Sequence, residues 1–116
     1  MLNLLKRYMP IVSDCQVEMY EHESFLFRFK ATVIFVDCSK LRIKEYRFSD
    51  GSRKYAYHWE SADGILKIRW DNAEHWPNVP TFPHHKHLDS SDNVHPSTET
   101  DLEDVLKHIA SNIKGA

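Results

Sequence analysis

The sequence predicts an α+β domain, with an antiparallel β-meander of about five to six strands, a short N-terminal helix and a C-terminal helix packed on the sheet. Three observations predict it. Phe25, Phe27, Phe29, Ala31, Val33 and Phe35 alternate with Arg28, Lys30 and Thr32, the period-two pattern of a half-buried strand. Ser49-Asp50-Gly51-Ser52 and Ser61-Ala62-Asp63-Gly64 separate further alternating runs, and Asp-Gly between such runs signals a tight hairpin. Leu102, Val105, Leu106 and Ile109 recur at helical spacing and form one apolar stripe fit to cover a sheet.

In chain order, Leu2, Leu4, Leu5, Tyr8 and Met9 fall at helical spacing before Pro10 and predict the first helix. Cys15, Val17 and Met19 predict a strand that turns near Glu23-Ser24 into the phenylalanine-rich one. Leu41 and Ile43 among Lys40, Arg42 and Lys44 form the next, which ends at the 49–52 turn. Tyr55, Tyr57 and Trp59, then Leu66, Ile68 and Trp70, make the two strands of the Asp63-Gly64 hairpin. Tight turns favour an antiparallel sheet over βαβ units. From Asn72 to Ser97 the period fails. Pro77, Pro80 and Pro83 favour extended backbone there, with an edge strand within Pro83–Leu88. Beyond Pro96, Thr98 and Thr100 offer helix caps, and Thr100-Asp101-Leu102-Glu103 fits a capping box.

With 116 residues, 41% of them apolar and 28% charged, the chain suits one globular domain spanning 1–116. Cys15 and Cys38 have no metal-type spacing, and Lys6 and Arg7 interrupt the N-terminal apolar run, which excludes a signal peptide or spanning helix. The composition reads as soluble, reduced and cytoplasmic, with no membrane partner. A net charge of −2 argues against general polyanion binding, yet residues 1–69 carry +3 and residues 70–116 carry −5. Six of the eight histidines lie in the acidic part, where neutral-range titration is concentrated.

A two-residue Asp63-Gly64 loop pairs Ala62 with Ile65. Tyr57 then faces Trp70 and Trp59 faces Ile68 on the core side. On the other face His58 lies opposite Arg69, Glu60 opposite Lys67, and Asp71 beside Ala56. Opposed charges on strands contribute only about 0.2–1 kcal/mol, so this row is equally a solvated, charge-paired surface. His75, Trp76, His84, His85, Lys86 and His87 follow closely. In extended chain His85 and His87 share one face, while His84 and Lys86 share the other. His85 and His87, with His75 or Asp71 as third ligand, could hold a divalent metal. Alternatively, unligated histidines serve as acid and base beside Lys86 or Arg69, or the histidines simply populate a polar loop. Lys40, Arg42 and Lys44, near Arg47, Arg53 and Lys54, form either a solvated strand face or a track for a phosphate backbone. Tyr46, Phe48 and Trp76 could stack unpaired bases, although aromatics in a small β domain are more often core.

Tyr55-Ala56-Tyr57-His58-Trp59, Ile68-Arg69-Trp70-Asp71-Asn72-Ala73, His75, Pro77 and Thr81-Phe82-Pro83-His84-His85-Lys86-His87 resemble the hallmark of the TumE family. Leu102-Glu103-Asp104-Val105-Leu106 is similar to the family's ending, while the first fifty residues match in pattern only. Trp70 and Trp76 depart from the Tyr and His of many members, and the second change weakens a multi-histidine metal site. The resemblance implies a toxin of a bacterial or archaeal type II module, neutralised by a neighbouring antitoxin that typically carries a helix-turn-helix DNA-binding domain.

Three functions fit. The leading one is a metal-independent endoribonuclease without cofactor, broadly like small RelE/barnase-type ribonucleases by fold-level analogy alone. His85 or His87 would take the 2′-hydroxyl proton, and His58 or His84 would protonate the leaving oxygen. Arg69 and Lys86 would stabilise the phosphorane, Tyr57 or Asp71 would orient a partner, and Lys40, Arg42, Lys44 and Arg53 would bind RNA. The second is a metal-dependent hydrolase or nucleotide-modifying enzyme using His75, His85 and His87. The third is a non-enzymatic module that contacts a protein through the Pro77–Pro83 segment.

Overall fold

In the computed structural model, which describes residues 2–113 of the 116, neighbouring strands in sequence are neighbours in the sheet. The expected 1–116 domain therefore extends past the described residues at both ends. The order is α1 (Leu2–Lys6), a 3-10 turn (Met9–Ile11), β1 (Val12–Glu23), β2 (Leu26–Phe35), β3 (Lys40–Arg47), β4 (Arg53–Glu60), β5 (Leu66–Asp71), β6 (His85–Leu88), β7 (Val94–Pro96) and α2 (Leu102–Asn112). The meander thus has seven strands rather than five to six. The extra strand, β7, is three residues long and pairs with β6. It takes the sheet edge, where Pro96 is tolerated, and leaves β6 interior instead of at the edge expected for Pro83–Leu88.

Several boundaries move for local reasons. The first helix stops at Lys6, and Pro10, which cannot continue an α-helix, falls in the 3-10 turn with Met9 exposed. Phe25 is not a strand residue. It sits in the β1–β2 turn beside Ser24, whose φ is +49°, and is 80% exposed. The cap of α2 is Asp101 rather than Thr100, and its carboxylate accepts the Asp104 N–H at 2.8 Å. A carboxylate there satisfies a free amide and complements the helix dipole.

The β4–β5 loop has three residues, not two. Ser61 N–H donates to Ile65 O and Gly64 N–H to Ser61 O, with Gly64 at φ +83°. That is a turn followed by a left-handed glycine, which absorbs one residue as a bulge. Ser61 therefore pairs with Ile65, and Glu60 pairs with Leu66 instead of Lys67. A second irregularity, between Glu60 and Trp59, skips Lys67 and restores the expected register: Trp59 with Ile68, His58 with Arg69, Tyr57 with Trp70 and Ala56 with Asp71.

Alternation then divides the sheet. Phe29, Val33, Phe35, Leu41, Tyr57, Trp59 and Trp70 are at most 2% exposed and share one face. Leu102, Val105, Leu106 and Ile109 of α2 cover that face, with Leu5 and Ile11 from the N-terminus. The edge of the His108 ring meets Trp59 and Trp70.

Glu99, just before α2, ties this layer to the sheet. It accepts from Trp70 Nε1 at 3.1 Å, Lys86 Nζ at 3.0 Å and Thr98 Oγ1 at 2.9 Å. Burial alone would raise its carboxyl, but the bonds from Lys86, Trp70 and Thr98 and the Lys86 charge hold it at about 2. Because the folded-state value lies below the unfolded one, this contribution is complete above about pH 4.5 and is lost as pH falls toward 2. Glu99→Gln is expected to lower stability at pH 7 by about 1.5–3 kcal/mol and to flatten the acid limb. Urea unfolding checks this: parallel wild-type and variant curves across that acid range contradict it.

Candidate functional site

The face opposite α2 is polar. β3 and β4 contribute Lys40, Arg42, Lys44, Ala56 and His58, β5 contributes Arg69 and Asp71, and β6 contributes His85 and His87. From β1 to β5 this face is concave, a groove of about 430 Å³ lined by Glu18, Lys30, Arg42, Lys44, His58 and Arg69. Short side chains, Ala56 and Thr32, line it too and leave room among the long cations. Arg42 Nε donates to Glu60 Oε1 at 2.7 Å, and Lys30 sits directly across from Lys44. Lys40 stands on the same face beyond the groove. Lys30 was not among the sequence candidates, although the alternation that exposes Lys44 exposes Lys30 by the same count.

Beside the groove lies a buried cluster. Asp71 and His85 are cross-strand partners, and Arg69 pairs with His87. His85 Nε2 is 2.9 Å from Asp71 Oδ1, and His87 Nε2 is 3.5 Å from Asp71 Oδ2. Residue exposures are 5% for Asp71, 1% for His85 and 7% for His87. The backbone sets both rings: His85 Nδ1 lies 2.9 Å from Pro83 O, and His87 Nδ1 lies 2.9 Å from Ser91 O. A carbonyl only accepts, so each Nδ1 carries a proton and each Nε2 points at the carboxylate. The same carboxylate accepts the Ala73 N–H at 3.0 Å and Arg69 Nε at 3.2 Å. Trp76 packs its ring edge near His87.

Arg69 links the cluster to the groove, because its Nη1 donates weakly to His58 Nδ1 at 3.4 Å. His58 is half-buried, and burial, then Arg69 and Arg42, pull its basicity below the ordinary imidazole value against an opposing pull from Glu60. A neutral ring with Nδ1 as acceptor follows.

Of the expected catalytic residues, His58, Arg69, Asp71, His85 and His87 come together, and Tyr57, His84 and Lys86 do not. Tyr57 is fully buried on the helix side. Its hydroxyl donates to Glu45 and accepts from Arg53, and burial with Glu45 raises it. Lys86 is spent on Glu99. His84 lies 2.7 Å from the Tyr55 hydroxyl at the end of the sheet, and burial, Arg53 and His85 lower its basicity. Arg53, expected to bind RNA, donates instead to Tyr57 and to Thr100 O on the helix side. His75 is exposed in the 72–83 segment, and among the described residues the third potential metal ligand is Asp71, all three ligand atoms lying within 4.8 Å of one another.

The lowered histidines set a stability profile. For His58 and His84 the folded protein prefers the neutral ring, so the unfolded chain takes up protons first on acidification. Stability is expected to be complete above about pH 6.5 and to decline below it. Imidazole proton NMR should show both rings titrating below the ordinary midpoint. A His58 midpoint at or above the unfolded-peptide value contradicts the geometry.

Among the described residues no helix is long and apolar enough to cross a membrane. No curated protein and no solved structure matches the chain. A family model described as toxin TumE matches residues 1–113 of its 116, so the chain belongs to the TumE toxin family.

Proposed function

We propose that this toxin cleaves RNA in the groove on the open face, with His58 as base and Arg69 as the cation that meets the reacting phosphate. The observation that carries this reading is one ring: a neutral histidine, in hydrogen-bond contact with an arginine, inside a concavity lined by Lys30, Arg42 and Lys44. A phosphodiester entering the groove meets cations on both sides. Arg69 turns its guanidinium to the phosphate while Asp71 keeps hold of Nε, and His58 Nδ1 is released. The freed nitrogen takes the 2′-hydroxyl proton, the 2′-oxygen attacks phosphorus, and the 5′-oxygen departs with a proton from water. The products are a 2′,3′-cyclic phosphate and a 5′-hydroxyl.

His58 carries the base role because it lines the groove, whereas His85 and His87 are buried and turn their Nε2 atoms to Asp71. Those two histidines then act as positioning residues for Asp71 and Arg69. A toxin family implies a cognate antitoxin, and we propose that this one carries the helix-turn-helix DNA-binding domain.

Purified chain incubated with end-labelled RNA should yield cyclic-phosphate ends. His58→Ala and Arg69→Ala should each slow cleavage by about 10²–10⁴-fold with the circular dichroism spectrum unchanged. Lys30→Ala with Lys44→Ala should weaken RNA binding and reduce its salt slope by about two. Full toxicity in a folded His58→Ala variant, or intact RNA in toxin-arrested cells, would sink the reading and redirect the search to a protein or nucleotide target.

A further inference from the structure

We propose that Asp71, His85 and His87 bind one divalent transition-metal ion of the zinc class. The argument begins with the two Nε2 atoms. Both rings hold their Nδ1 protons against backbone carbonyls, so both remaining nitrogens converge on a single carboxylate. Lone pairs facing a carboxylate repel it, and the contact is attractive only with positive charge inside it: a ring proton, or a metal ion that all three groups share.

Spacing favours the shared ion. A tetrahedral zinc site with ligand bonds near 2.0–2.1 Å has edges of about 3.3 Å. His85 Nε2 lies 2.9 Å from Oδ1 and His87 Nε2 lies 3.5 Å from Oδ2, contacts near that length to the two oxygens of one carboxylate, and one ligand atom from each residue falls within 4.8 Å of the others. Support around the ligands fits as well. Histidines that ligate metals donate their other ring N–H to a carbonyl or carboxylate, which sets tautomer and ring angle. Pro83 O and Ser91 O do so here, while Ala73 N–H and Arg69 orient the carboxylate. Two nitrogens and an oxygen suit zinc and its neighbours better than magnesium or calcium, which prefer oxygen alone. Finally, the ligands stand on paired strands rather than on a loop, so the set is held before any ion arrives.

This inference stands on the cluster's geometry and not on RNA cleavage. A chain that binds one zinc but spares RNA keeps the site and loses the nuclease reading; RNA cleavage by a chain that binds no metal does the reverse.

The test uses the full chain without a histidine tag, stripped with chelator and titrated with Zn²⁺ and Co²⁺. One equivalent of zinc should bind and raise Tm by roughly 5–15 °C at saturation. Cobalt should give the intense visible absorption of a tetrahedral site. His87→Gln and Asp71→Asn should each weaken zinc by more than about 100-fold, whereas His95→Ala should not. If the variants do not fold, the wild-type cobalt spectrum and stoichiometry decide. Absence of stoichiometric binding, a weak octahedral cobalt spectrum, or full affinity in folded His87→Gln would overturn the proposal.

Discussion

Side-chain alternation across the strands is the constraint on which the two faces of this protein depend. Each residue of β2–β6 goes either to the helix or to the groove, and the choice reverses at every step along the strand. Phe29, Val33, Leu41, Tyr57 and Trp70 go one way, and Lys30, Arg42, His58 and Arg69 go the other. A slip of one residue between β4 and β5 would place Trp70 in water and Asp71 under α2. Register is therefore enforced by the core and inherited by the site. His58 meets Arg69 because Tyr57 must meet Trp70.

Within that frame Asp71 is the second point of dependence. One of its oxygens accepts the Ala73 N–H and lies 2.9 Å from His85 Nε2, and the other accepts Arg69 Nε and lies 3.5 Å from His87 Nε2. The carboxylate thus couples β5, β6 and the start of the 72–83 segment, and its hold on Arg69 leaves only the outer guanidinium nitrogens for the groove. In the proposed reaction Asp71 positions Arg69, and Arg69 and His58 are the groups that would meet the RNA.

The strand framework was legible because two physical signals agreed, period-two alternation and Asp-Gly turns. From them the pairing of His58 with Arg69 and of Ala56 with Asp71 could be counted out. The count failed next to the loop, at Glu60, because Gly64 takes a left-handed conformation that closes a bulged three-residue turn rather than a two-residue one. β7 carried no readable signal: three residues with one proline show no alternation, and its ladder to β6 is a tertiary event. Helix capping was misplaced by one residue, since Thr100 and Asp101 both fit a cap and only packing chooses between them. For the site, alternation already separated His85 and His87 from His84 and Lys86, and proximity in sequence nevertheless grouped Tyr57 and Lys86 with them. The sheet lies between. Ser91, whose carbonyl sets the His87 ring, has nothing in its sequence context that announces that role.

Net charge conceals how this molecule looks to a polyanion. The whole chain is slightly acidic, at −2, yet the groove gathers Lys30, Arg42, Lys44 and Arg69 against Glu18 and the Glu60 that pairs with Arg42. Of the second half's acidic groups, Asp71 lies beside the groove and holds Arg69, whereas Glu99 stands with Lys86 and Trp70 on the helix side and Asp101, Glu103 and Asp104 at the start of α2. At physiological salt, charges farther apart than roughly 8–10 Å are largely screened from one another, so a phosphate close to the groove responds to the nearby cations rather than to the total. If RNA is the partner, the acidic helix end would repel it on one side while the cations of the concave face would attract it on the other. Orientation, more than overall affinity, is what a small acidic protein gains by sorting its charges onto two faces of one sheet.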